Sequence, residues 1–477
     1  MIDRMISRRQ LILTLGAVAA TLPILQACGA SSSAATAQSA STTAQSTTSP
    51  AASSSVHATS TSAQASTTAA AKSQAAPQAK ISLSIAVWTA PSNGRTWQKL
   101  FAQQWAKEHP NVDLHISQVP YGDMAKKQLV LLAAHQLWDV SFSGVKWMYE
   151  PIVKGAFRPL DAFVARKDPG MKDFFPATIE DCKYNGKLYA IPFETNSGNT
   201  NIIFYNKDLL DAKGLKEPTN DWTVDEFLNT AIKATDLSKQ IFGTDLYPGT
   251  YYDFDTWVRS WGGELLADHN KKFNLVNNPK AIDAAQWIVN LRTKYQCAPS
   301  LAASKGLSFT AGKVALSCQG LWGVVGNAQA VGNRFKMGIV LPPKGPPGLQ
   351  GDEAWATVWN IATQSKHPDE AYDLVYYEST PKNMLWAFVN QGQPVPRISV
   401  WESKEAAKIS PIWDAAAKWM TTGKSEPFPE PYNLRFNQLQ DTWANVSQQL
   451  WYGQVAFQAG IQKVQTDEEA IMAQPIV

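Results

Sequence analysis

Apolar positions along the chain switch repeatedly between a period of two and a period near four. Ile81, Leu83, Ile85 and Val87 alternate with Ser82, Ser84 and Ala86, which predicts a strand ended by Trp88-Thr89-Ala90-Pro91. From Arg95 to His109 the spacing is helical, with Trp97, Leu100, Phe101 and Trp105 on one face and Pro110 as the stop. Val112, Leu114 and Ile116 predict a second strand, Tyr121 to His135 a second helix, Asp139 to Phe142 a third strand and Lys146 to Lys154 a third helix. This βαβαβα order requires a largely parallel sheet with helices packed on it. Further strands are predicted at Leu188–Phe193, Ile202–Tyr205, 313–318, 335–340 and about 355–362. Thr223-Val-Asp-Glu226 has the capping-box pattern, and Pro279, Pro368 and Pro381 stand where first helical residues would. Phe436, Leu439, Trp443, Val446 and Leu450 form one face of a long helix near the C-terminus. The whole reads as α/β with a helical C-terminus, and its length argues for two α/β lobes rather than one core.

The first eighty residues do not follow either period. Ser7-Arg8-Arg9 precedes an apolar run from Leu11 to Ala27 that ends Leu25-Gln26-Ala27-Cys28. A basic start, a short apolar stretch and small residues before a cut describe an export signal over residues 1–27. The run is too short and too rich in Ala and Gly for a membrane span. Leu-x-Ala-Cys resembles the lipobox of bacterial lipoproteins, in which the Cys thiol is acylated and becomes the new N-terminus. Ser-Arg-Arg resembles the twin-arginine export signal, and Sec and twin-arginine export both stay open. Residues 28–79 are Ser-, Thr-, Ala- and Gln-rich, with no formal charge between Cys28 and Lys72. They carry too little apolar surface to offset chain entropy and are expected to be a flexible tether. The remainder is then expected to work outside the cytoplasm, close to a membrane.

Asp3, Arg4, Arg8, Arg9 and Lys72 account for the net charge of +3, which leaves a folded part with 39 basic and 39 acidic residues. A neutral body argues against nucleic acid as a partner. Besides Cys28 the chain has Cys182, Cys297 and Cys318; one disulfide, or three buried thiols, are both compatible with the sequence. The six His are scattered without zinc spacing, so neither metal nor cofactor is expected.

Tryptophan is the unusual component: 18 Trp stand beside 14 Tyr and 18 Phe. In open parallel sheets the ligand crevice lies beyond the carboxyl ends of the strands. That rule selects Trp88-Thr89, Pro120-Tyr121 and Ser143 to Trp147. An indole at the mouth of a crevice can stack on the C–H face of a sugar while planar polar groups bond its hydroxyls. Ordinary packing is the competing reading for Trp88 or Trp147 taken singly; their shared location favours a ligand. Ser143-Gly-Val-Lys146 matches S-x-x-K, but the accompanying Ser-Asp-Asn and Lys-Thr-Gly of acyl-serine enzymes are absent, which reduces it to coincidence. No G-x-S-x-G, His-Glu-x-x-His or phosphate loop occurs.

Five segments in order carry a resemblance. They are ISLSIAVW with FAQQWAKEHPNVDLHISQVPYGDMAKKQL; WDVSFSG with KGAFRPLDAFV; YNGKLYAIPFETN with IIFYNKDLLDAKGL and DWTVDEFL; WGGELL with NNPKAIDAAQWIVNL, FTAGKVALSCQGLWGV and FKMGIVLPPKGP; and IATQSKHPDEAYDLVYYEST with NQGQPVPR. Together they resemble the extracellular solute-binding proteins, family 1, of ABC importers, the maltose- and oligosaccharide-binding type. The resemblance implies a two-lobe periplasmic-binding-protein-like fold with a cleft between lobes. It places 80–195 plus 342–395 in lobe 1 and 196–341 plus 396–477 in lobe 2. It implies a monomer that binds a neutral carbohydrate, expected to be an oligosaccharide, and presents it to ABC transporter permease subunits, with no catalysis.

Carried onto this sequence, the family pattern assigns Glu194, at the first crossing between lobes, to sugar hydroxyls as an exposed cleft carboxylate. Trp322 matches an aromatic that stacks on sugar from the second lobe, and Tyr252 with Asp253 a pocket-lining loop. Trp355 and Gln393 fall in segments near the cleft, and Tyr432, after Pro429-Glu430-Pro431, is a further candidate for which core or surface packing is an equal alternative. Two readings of other classes remain: a surface glycoside hydrolase, which turnover of oligosaccharide would reveal, and a non-transport carbohydrate-binding or adhesion lipoprotein, which a filled apolar cleft would favour.

Overall fold

A computed structural model describes residues 80–89, 97–195, 202–268, 271–351, 355–409 and 433–475. Two sheets organise it. The first has five strands in the order β2-β1-β3-β9-β4: β1 (Ile81–Thr89), β2 (Val112–Pro120), β3 (Val140–Gly144), β4 (Ile191–Thr195) and β9 (Ala356–Ile361). The second has four, β8-β5-β7-β6: β5 (Ile202–Asn206), β6 (Phe242–Thr244), β7 (Val314–Gln319) and β8 (Met337–Val340). As the alternation predicts, β1 pairs in parallel with β2 and β3. β9 returns from the second sheet and runs antiparallel between β3 and β4.

Helices α1 (Trp97–Glu108), α2 (Tyr121–Ala133) and α3 (Val145–Val153) link the first strands. α4 (Val224–Ala234) opens with the predicted capping box, in which Thr223 Oγ1 accepts from the Glu226 amide and Glu226 accepts from the Thr223 amide. α5 (Tyr251–Ser260) has a second capping box, Thr250 with Asp253. α6 (Pro279–Thr293), α8 (Pro368–Glu378) and α9 (Pro381–Gln391) each begin at the predicted proline, and α7 (Val324–Val331) follows β7. Trp105 of α1 is fully buried and its Nε1 donates to Asp373 of α8 at 2.9 Å, tying the helical cover of the first sheet together.

The C-terminal helices α10 (Phe436–Trp451) and α11 (Phe457–Met472) pack on each other and on the second lobe. Phe436, Leu439, Trp443 and Leu450 are buried on the predicted face, each such side chain contributing about 1.5–3 kcal/mol by leaving water. Trp443 Nε1 donates to the Pro248 carbonyl, and Gln465 accepts from the Leu275 and Val276 amides while donating to the Phe273 carbonyl.

Two of the expected lobe boundaries move. Residues 342–351 stay with the second lobe: Trp222 Nε1 donates to the Leu341 carbonyl, Lys344 bridges Thr223, and Gly351 lies directly on α5. A Cβ at Gly351 would stand 1.7 Å from the Thr256 carbonyl oxygen, so the coil is glycine there because it packs on a helix backbone. Residues 396–401 stay with the first lobe. Arg397 is completely buried, donates to the Ser379 and Pro169 carbonyls and pairs with Asp173 at 3.0 Å. Gly351 thus packs with the second sheet's helices, whereas β9 from Ala356 and the chain through Trp401 pack with the first.

Among the described residues no helix is long and apolar enough to cross a membrane, and no group of His, Cys, Asp or Glu could hold a metal ion. Cys182, Cys297 and Cys318 are free thiols, which resolves the pairing left open by the sequence.

Candidate functional site

The carboxyl ends of β1, β2, β3 and β4 and the amino end of the antiparallel β9 lie at one edge of the first sheet. Each strand end delivers a side chain there. Trp88 comes from β1 and Tyr121 from the residue after β2, with ring centroids 5.2 Å apart. Trp147, on the first turn after β3, meets the edge of Tyr121 at 5.0 Å. Trp355, just ahead of β9, lies 6.5 Å from the same tyrosine. Tyr121 is thus the hub of three of the tryptophans that strand-end reasoning and the family pattern selected.

The second lobe answers with Tyr252, Asp253 and Phe436. Tyr252 and Asp253 occupy the first turn of α5, and Phe436 the first turn of α10. Tyr252 and Phe436 stack at 5.9 Å, and Phe436 reaches across to Trp147 at 6.4 Å. Lys146 connects the halves. Its ammonium lies 3.5 Å from the Tyr252 ring centroid, 4.2 Å from that of Trp355 and 5.9 Å from that of Phe436. With only 2% of its surface exposed, it is a desolvated cation–π centre, for which about 2 kcal/mol or more is typical. Burial pushes the Asp253 pKa up to about 6, against the hydrogen bonds from Thr250 and the attraction of Lys146, which pull it down. Asp253 therefore divides its carboxylate between capping α5 and facing the lysine.

Several donors and one acceptor in this region are buried without a hydrogen-bond partner among the described residues. They are Trp147 Nε1, Trp355 Nε1 and both amide atoms of Gln393. Gln393 is fully buried at the end of α9, next to Pro394, whose carbonyl accepts from the Thr195 amide at the end of β4. Here the lobes touch: a Cβ on Gly392 would fall 2.0 Å from Val325 of α7, and Gly392 has φ +60°, which favours glycine. Unsatisfied buried polar groups cost about 1–3 kcal/mol each, so this seam is less stable than one in which the same groups are paired.

Glu194 departs from its expected setting. It belongs to β4, opposite Thr357, beside a register shift in the β9–β4 pairing, and it is 2% exposed. It is a buried carboxylate at the end of the first sheet's edge strand, not an exposed one. Trp322, at the head of α7, is 41% exposed. Tyr432 and Cys28 lie outside the described residues.

Sequence reasoning did not single out Lys146 or Phe436 as site residues. Lys146 was discounted with its S-x-x-K match, although its place directly after β3 is a strand-end position. Phe436 was absorbed into the apolar face of α10, and nothing in that spacing separates a first-turn ring that lines a cleft from one that fills a core.

Comparison with known proteins gives a consistent picture. The sequence profile of the family described as bacterial extracellular solute-binding protein matches residues 89–385. A probable ABC transporter-binding protein of Deinococcus radiodurans is 25% identical over 360 residues, 72% of this chain and 83% of that protein. An ABC substrate-binding protein from Listeria monocytogenes, solved in complex with cycloalternan, superposes with a TM-score of 0.71 at 18% identity, over 82% of this chain and 99% of that one. The GacH receptor of Streptomyces glaucescens, solved unliganded and with acarbose, gives 0.69 at 22% identity, over 82% and 98%. These likenesses establish the two-lobe α/β fold of periplasmic binding proteins.

Proposed function

From the premise that this chain belongs to the bacterial extracellular solute-binding protein family, we propose that it binds a neutral carbohydrate of oligosaccharide size between its lobes and delivers it to the permease of an ABC transporter. The observation that carries this reading is the pairing of aromatic faces with unsatisfied buried donors at one interlobe seam. Trp88, Tyr121, Trp147, Trp355, Tyr252 and Phe436 offer flat apolar surface for the C–H faces of sugar rings. Trp147 Nε1, Trp355 Nε1 and the Gln393 amide supply hydrogen bonds that hydroxyl groups complete. Cycloalternan and acarbose, found with the structural relatives, are ligands of this kind.

The family and these relatives are binding proteins, and the work done here is affinity coupled to closure, with the ligand favouring the closed arrangement. No bond is made or broken in this reading. The family acts outside the cytoplasm. We further propose that the mature chain is a monomer held at the membrane by acylated Cys28 through the 29–79 tether.

A thermal-shift screen of the full chain against neutral oligosaccharides, charged sugars and polyols tests the reading. A saturable rise in Tm with a neutral oligosaccharide, without turnover of that sugar, is expected. Hydrolysis of the sugar, or a response confined to charged solutes, would overturn it. A chain beginning at Lys80 should bind the same sugar and lose only membrane association.

A further inference from the structure

Two of the ring faces that the seam offers to a sugar are covered by the chain itself. The Lys146 ammonium stands 3.5 Å from the ring centroid of Tyr252 and 4.2 Å from that of Trp355. An apolar group stacks on an aromatic plane at about 3.5–4 Å, so a sugar C–H face and this ammonium need the same space. Trp355 is 7% exposed, which leaves little of its ring open beside the covered face. Stacking of a sugar on these faces and the lysine contact therefore exclude each other.

The lysine is also held against the local electrostatics. Lys146 lies in the first turn of α3, Tyr252 and Asp253 in that of α5, and Phe436 in that of α10. A first turn is the positive end of the helix dipole and disfavours a cation. Three such turns meet around the ammonium, and the ring faces and the Asp253 carboxylate offset them. The charge arrives on a flexible four-carbon stem. Arg397, by contrast, is fixed by hydrogen bonds to the Ser379 and Pro169 carbonyls and by its pair with Asp173.

We infer that Lys146 is an internal occupant of the seam: its ammonium takes the place of a sugar ring on Tyr252 and Trp355, bridges the lobes when no sugar does, and is displaced when a sugar stacks there. The displacement step rests on the sugar-binding reading; the aromatic cage for an ammonium does not. Displacement makes Lys146 a specificity-determining residue. A solute without a flat apolar face gains no stacking in exchange for the ammonium, and a cationic solute meets a like charge, so a neutral stacking solute is selected over both.

The test uses the full chain. Lys146→Ala removes the side chain from Cγ to Nζ, the atoms of propylammonium. Propylammonium chloride should give this variant a saturable rise in Tm, whereas propanol or sodium chloride at the same concentration should not, and the unsubstituted chain should show no such rise. The sugar identified by screening should bind Lys146→Ala about two- to tenfold more tightly than the unsubstituted chain. Propylammonium should weaken that binding by one plus the ratio of its concentration to its Kd. In the unsubstituted chain, with lysine carrying carbon-13 at Cε and the Lys146 signal assigned by its loss in Lys146→Arg, ring currents should hold the Lys146 Hε resonance upfield. Saturating sugar should return it to the range of exposed lysines. If Lys146→Ala does not fold, this signal decides alone. No propylammonium response in Lys146→Ala, weaker sugar binding by that variant, a Lys146 signal that is not upfield, or one that saturating sugar does not move overturns the proposal. If no sugar binds at all, the proposed function fails, whereas the propylammonium response still decides the cage.

Discussion

Gln393 offers a clear test of whether the seam is built for a ligand or for the fold. It is fully buried, and neither its amide N–H groups nor its carbonyl finds a partner among the described residues. Each such group costs about 1–3 kcal/mol while unsatisfied. Gln393→Met keeps the length of the side chain and removes both polar atoms. Imperfect packing of the thioether should return less than about 1.5 kcal/mol. The ligand-free protein should therefore become more stable, by about 1–3 kcal/mol. A bound sugar loses one or two neutral hydrogen bonds worth about 0.5–1.5 kcal/mol each. Affinity should fall by roughly two- to 150-fold, since 1.4 kcal/mol is tenfold. The two effects have opposite signs, which ordinary core damage cannot produce. The urea midpoint without ligand and calorimetric titration with the sugar identified by screening measure them. A less stable apo protein with unchanged affinity would mean that Gln393 serves the fold, and the argument from unsatisfied donors would fail.

Three other perturbations have defined outcomes. Burial raises the pKa of Asp245, Asp253 and Asp255 to about 6, above the ordinary carboxylate value, so the folded state binds more protons than the unfolded one between about pH 4 and 6. Stability of the apo protein should rise as pH is lowered from 7 to 5, each group contributing about 1 kcal/mol over that interval, and a urea midpoint that falls over this interval would contradict the assignment. Glu468, buried on α11 with neither oxygen hydrogen-bonded among the described residues, has its pKa raised by burial to about 9; Glu468→Gln should stabilise the protein at pH 7 by roughly 2–3 kcal/mol and lose that advantage near pH 4, and equal stability of both forms at pH 7 would refute it. Gly392→Ala places a methyl 2.0 Å from Val325 at positive φ, so it should wedge the lobes apart and weaken sugar binding; small-angle scattering of the free protein should report a more open form, and an unchanged profile with unchanged affinity would sink the idea.

The sheets and most helix starts were legible in the sequence because each rests on local physics. Pro279, Pro368 and Pro381 begin helices since a proline at the first position gives up an amide that has no partner there anyway. Thr223 and Glu226 close a capping box within four residues. The lobe boundaries were less legible because they depend on tertiary packing. Nothing local to Gly351 shows that it lies against α5, and nothing local to Arg397 shows that its guanidinium is enclosed by Pro169, Asp173 and Ser379. The site was half visible for the same reason. Strand ends named Trp88, Tyr121 and Trp147, whereas the lysine among the rings depends on Tyr252 and Phe436, which lie more than a hundred residues away in the chain.

That lysine bears on how the lobes come together and part. Lys146 leaves water almost completely to stand among Tyr252, Phe436 and Trp355, with Asp253 acting on it from the second lobe. Desolvating an ammonium costs several kcal/mol, and cation–π attraction with a partial countercharge returns a comparable amount. The lysine therefore holds the lobes together less strongly than an equal area of apolar contact, where every buried 100 Å² contributes about 2.5 kcal/mol. A ligand shifts the lobes only by its differential affinity for the closed arrangement. On the proposed function, a seam that includes this desolvated cation would let a few sugar hydroxyls, completing Trp147, Trp355 and Gln393, tip the balance between closed and open lobes.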